Sequence, residues 1–116
     1  MGLLDDYPDY GTWALENGLL EKPIHLLDCQ LSHVVRGKPG QCQIIFILGT
    51  DPHEQKGFLG CLIATGNKEH ITKEIERWGG WFQIMGKISP ENKFVAGGVR
   101  EVIPLVGTYA PMENIP

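Results

Sequence analysis

The chain has 116 residues, a formal net charge of −4, and 42% hydrophobic against 21% charged residues. That length suits one domain with a single core, and the composition excludes a disordered chain. A net negative balance argues against tight, sequence-independent DNA binding, which rests on neutralising phosphates. No apolar run approaches the roughly 20 residues needed to span a bilayer, and no charged-then-apolar leader opens the chain. A soluble intracellular protein without a membrane partner is expected.

Charge is uneven along the chain. Asp5, Asp6, Asp9, Glu16, Glu21 and Asp28 face only Lys22 in the first thirty residues, while residues 31–100 carry an excess of Lys and Arg. An acidic arm beside a mildly basic body is one reading, and a solvated N-terminus on a near-neutral body is the other. Cys29, Cys42 and Cys61 are widely spaced and form no Cys-x-x-Cys pair, so reduced, buried thiols are expected. Gly 15 and Pro 8 point to many turns between short strands.

Three parts are expected: an acidic arm with a short helix over 1–22, a barrel over 23–105, and an irregular tail over 106–116. In the first, Thr12 is the expected cap of a helix through Trp13–Glu16 that stops at Asn17-Gly18, with Leu15, Leu19 and Leu20 docking on the core. From Pro23 the period becomes two: Leu27, Cys29, Leu31 and Val35 fall on one face, Asp28, Gln30, Ser32 and Arg36 on the other. Gly37-Lys38-Pro39-Gly40 makes a turn. Gln41–Leu48 is apolar enough for a strand covered on both faces, and Gly57 opens a third strand running to Ala64.

Asn67 then caps a helix on which Ile71, Ile75 and Trp78 form one stripe, ended by Gly79-Gly80. Trp81–Ile88 alternates again, with Phe82, Ile84 and Ile88 on one face and Trp81, Gln83, Met85 and Lys87 on the other. After the turn Ser89–Asn92, the last strand is expected over Lys93–Leu105, with Gly97-Gly98 as a bulge or barrel corner.

Three strands, a helix ending in Gly-Gly, the strand Trp81-Phe82-Gln83-Ile84-Met85-Gly86-Lys87-Ile88, and a last strand resemble the element order of the OB-fold. The resemblance covers about residues 24–105 and implies a mainly β fold, an OB-like five-stranded β-barrel with one helix between strands 3 and 4. It places the chain beside small single-stranded nucleic-acid-binding proteins and the small OB subunits of replication and telomere complexes. The acidic balance suits a partner-bound subunit better than an autonomous binder.

Single-strand binders combine cations that track the backbone with aromatics on which bases stack. The candidate nucleic-acid face is therefore Arg36, Lys38, Lys56, Trp81, Lys87 and Arg100. Trp81 has a competing role in closing the barrel; Trp78 is expected to pack, and Phe46 and Phe58 to be core. The alternative function is a protein-interaction domain, using the acidic arm or a sheet edge, in a homo- or hetero-oligomer. Cys29 and His33 lie about 13 Å apart on a strand, too far to share a zinc ion, and neither metal nor cofactor is expected. Asp51-Pro52-His53 reads as a turn rather than an acid–base pair. No Walker, Rossmann or nucleophile-elbow motif occurs, so no catalytic residue is assigned.

Overall fold

The computed structural model describes residues 6–51, 56–96 and 100–112. Helix α1 (Tyr10–Glu16) precedes strands β1 (Ile24–Arg36), β2 (Gln41–Asp51) and β3 (Lys56–Thr65). Helix α2 (Lys68–Arg77), strand β4 (Trp81–Ile88), a small hairpin of β5 (Phe94–Ala96) and β6 (Arg100–Val102), and strand β7 (Leu105–Pro111) follow. The barrel is closed in the order β1-β2-β3-β7-β4. All its pairs are antiparallel except β3–β7, where Leu62 and Ile63 lie beside Leu105 and Val106. The expected mainly β fold, a closed five-stranded barrel with one helix between its third and fourth strands, is therefore present.

Local chemistry explains the elements that were legible. Asn67 Oδ1 accepts the backbone N–H groups of Glu69 and His70 at 2.9 and 3.2 Å, satisfying donors that α2 leaves open. Gly79 and Gly80 both hold φ above +80° and turn the chain out of the helix into β4. Ile71 and Ile75 are buried at the barrel end, and Trp78 packs on Tyr109 with ring centroids 5.9 Å apart. Inside the barrel Phe46 and Phe82 meet edge to face at 6.0 Å among Ile44, Leu62, Ile84 and Leu105, all fully buried. Phe58 is half-buried instead, against Tyr10 and Trp13.

Five expectations are corrected. The cap of α1 is Asp9, not Thr12: Asp9 Oδ1 accepts from Gly11 N–H, and Oδ2 accepts from the Thr12 hydroxyl and from Ile103 N–H at 3.0 Å. That long-range bond selects Asp9. Leu15 and Leu19 dock on the core, but Leu20 is exposed.

The alternation of β1 is broken twice, by irregularities between Leu26 and Cys29 and between Leu31 and His33; Asp28 has φ +57°. Each irregularity adds a residue and flips the following side chains. The inward set thus becomes Ile24, Leu26, Cys29 and Val34, and Leu27 turns out to solvent.

The last barrel strand is Leu105–Pro111, in the segment expected to be an irregular tail, and Lys93–Leu105 supplies the β5–β6 hairpin instead. Pro111 is tolerated because it ends the strand. Finally, the described part of the acidic arm is fixed rather than loose: Leu59 N–H donates to Pro8 C=O at 2.8 Å, and Asp9 bridges to Leu59. Residues 1–5, His53 and the Gly97-Gly98 corner lie outside the described residues.

Candidate binding surface

OB-type barrels bind ligands across the outer face of their second and third strands and the adjoining loops. Here that face is already occupied. Ile45, Leu59 and Cys61 point away from the barrel interior yet are fully buried, because Val102 of β6 and Tyr7 of the arm pack over them. The chain's own hairpin and N-terminal segment cover the outer face of β2 and β3.

The six expected nucleic-acid contacts are scattered around this body. Arg36 closes β1, with its guanidinium 2.7 Å from Glu69 Oε1 in an exposed ion pair, and Lys38 is exposed in the β1–β2 turn. Lys56 begins β3 opposite Asp51, at the other end of the β2–β3 hairpin. Arg100 lies on β6, two residues before Val102, so both side chains face the covered β2–β3 surface. Its Nε and Nη2 are buried and have no hydrogen-bond partner among the described residues. Trp81 and Lys87 share the outer face of β4, six positions or about 20 Å apart along the strand.

The open surface is the wall formed by the first half of β1 with β4 and β7. Leu27, Met85, Val106 and Trp81 are exposed there by 50, 46, 46 and 45%. The register sets them along one face: His25 and Thr108 flank Met85, Val106 lies opposite Lys87 and diagonal to Met85, Leu27 sits in the irregularity facing Gln83, and Trp81 stands at the far end of β4. At the centre, Gln83 faces outward but is buried under its own bonds. Its Oε1 accepts from His25 Nε2 at 2.6 Å and its Nε2 donates to Pro111 C=O at 2.9 Å. The acceptor at Gln83 assigns the His25 proton to Nε2. This bridge fixes three strands, and the apolar side chains around it, in one arrangement.

Leu27 and Val106 were illegible as surface residues: the first is exposed by a bulge, the second belongs to a strand the sequence did not reveal. Trp81 and Met85 were legible from the alternation of β4.

The thiols offer little chemistry. Burial pushes Cys29 and Cys61 up to about 12 and raises Cys42 as well, so all three are protonated and weakly nucleophilic at neutral pH. The Cys42 thiol donates to Gly66 C=O at 3.3 Å. Among the described residues no group of three His, Cys, Asp or Glu side chains is placed to hold a metal ion, and no helix is long and apolar enough to cross a membrane. No protein-family model matches the chain, and no curated protein or solved structure does so either.

Proposed function

We propose that this protein is a non-catalytic binding module, an OB-like accessory subunit that docks a partner protein on its β1–β4–β7 wall. The observation that carries this reading is that Leu27, Trp81, Met85 and Val106 are all exposed on one sheet face around the locked His25–Gln83–Pro111 bridge. Large apolar side chains grouped on a rigid sheet and rimmed by hydrogen-bonding groups are what a protein interface needs, and Trp and Met are enriched there. Lys87 is the wall's basic residue on β4, too little charge to draw a phosphate backbone. Met85→Glu is the direct test, because a carboxylate in the middle of the patch must be desolvated on docking. A partner captured by the wild-type chain should bind this variant at least about 30-fold more weakly, the loss expected for a hot-spot residue. Thermal stability should be unchanged, since Met85 is exposed. Equal capture by both proteins would remove the wall from the interface.

A second reading is supported by Trp81 and Lys87 lying on one face: the same wall stacks and tracks a single strand, as in small OB-fold nucleic-acid-binding proteins. Trp81→Ala would then cost the stacking of one base, about 1–3 kcal/mol. The covered β2–β3 face and the dispersal of the other four cations support the protein reading more than this one.

A further inference from the structure

Strand β1 is longer than the strand that covers it. Its first half pairs with β4 as far as Gln30, opposite Trp81, and Leu31 N–H makes a last bond to Gly80 C=O at 2.8 Å. There the left-handed turn at Gly79 and Gly80 takes the chain away into α2. From Ser32 to Arg36, β1 has β2 on one side and, among the described residues, no strand on the other.

The hairpin geometry fixes which groups face this edge. Gly37 N–H bonds Gln41 C=O, and the register pairs Val35 with Gln43 and His33 with Ile45. Antiparallel pairs alternate between bonded and non-bonded. Residues 33, 35 and 37 therefore exchange bonds with β2, and the N–H and C=O groups of Val34 and Arg36 point to the open edge. None of these groups bonds another backbone group outside the strands among the described residues.

The open edge does not face bulk solvent directly. A groove of about 740 Å³ runs along it, with β1 from Leu31 to Val35 as its floor and Lys68, Thr72 and Glu76 of α2 as its wall. Those three α2 residues, spaced by four, form one stripe parallel to the strand. Helix and strand run in opposite directions, since Glu69 bonds Arg36 at one end and Gly80 meets Leu31 at the other. Lys68 thus lies at the Arg36 end and Glu76 at the Gly80 end. Arg36 is already paired with Glu69, which leaves Lys68 as the cation facing the groove. His33 enters it as a neutral imidazole: burial first, and then the Lys68 charge, hold it below its ordinary value, and Ser32 Oγ lies 2.9 Å from its Nδ1.

We infer that this groove takes an extended peptide from a partner protein by strand addition, in line with β4, with an acidic side chain of the peptide beside Lys68. The free backbone groups of Val34 and Arg36 supply the ladder, which only an extended backbone can match, and the helix wall supplies the side-chain selection. The site is on a different face from the β1–β4–β7 wall and stands or falls independently of it.

The test is selection of a phage-displayed library of short random peptides on the full chain, followed by hydrogen exchange with a selected peptide. Selected sequences should carry Asp or Glu, and binding should slow exchange at the Val34 and Arg36 amides. Thr72→Trp, which fills the groove from a half-buried helix position, should weaken binding more than tenfold while leaving the circular dichroism spectrum and Tm in place. Lys68→Glu should turn the selection toward basic peptides, and Met85→Glu should leave binding unaltered. The inference is overturned by selected peptides that bind Thr72→Trp as well as wild type, or by a selection that yields none protecting Val34 and Arg36. It is also overturned if those amides become protected only through self-association at high protein concentration, which would assign the edge to a second copy.

Discussion

Gly107→Ala is expected to destabilise the barrel by more than the about 1–3 kcal/mol typical of an added methyl group in a packed core. Gly107 lies opposite Gly86 in the middle of the β4–β7 ladder. A Cβ at residue 107 would stand 2.5 Å from Gly86 Cα and closer still to the Met85 carbonyl oxygen. Backbone atoms cannot rotate aside as a side chain would, so the two strands must separate. The consequence reaches beyond one contact, because β7 closes the barrel and its pairing with β3 spans only Leu105 and Val106. The effect should appear as a large fall in Tm together with faster amide exchange along β7. Thr108→Ala, at the exposed neighbour, should stay within about 0.5 kcal/mol. A Gly107→Ala protein as stable as wild type would show that β7 does not run against β4 in this register.

Phe46→Ala should cost about 3–5 kcal/mol, the range for removing a fully buried aromatic side chain. Its ring meets Phe82 edge to face and fills the space beside Gly60, where a Cβ would come within 2.6 Å of Phe46 Cε2. Gly60, directly opposite on β3, has no side chain to collapse into the gap, so the cavity should persist and the loss should fall at the upper end. For a domain of this size the Tm should drop by roughly 15 °C or more. The same substitution at half-buried Phe58 of β3, which packs against α1 rather than in the barrel centre, should cost clearly less. Equal losses at the two positions would contradict the assignment of Phe46 to the core.

These two sites also mark how far the sequence reached. The first four barrel strands, the Asn67 cap, the Gly79-Gly80 stop and both faces of β4 were legible because each depends on residues within one turn or one strand. The phase of β1 was not, since its two irregularities answer to the register of β2 and β4 rather than to any local signal. Asp9 displaced Thr12 as the helix cap through a bond to Ile103, ninety-four residues away. β7 was hidden by Gly107 and Pro111, residues that weaken a strand reading in sequence and are needed here for close approach and for termination. The binding surfaces inherit these gaps. The wall combines two residues visible on β4 with Leu27 and Val106, which only the register exposes. The cations chosen for a nucleic-acid face were correctly placed near strand ends, but barrel closure sends those ends in different directions. Arg100 in particular is carried by the hairpin onto the covered β2–β3 face.

The most direct measurement on the wall is a titration of the full chain with oligothymidine at low and at moderate salt, followed by tryptophan emission, beside the same titration of Trp81→Ala. A wall built to dock a protein leaves the emission of both proteins unchanged at either salt. Saturable quenching that weakens as salt rises and is lost in Trp81→Ala would contradict the protein-docking assignment and make Trp81 and Lys87 the start of a single-strand site.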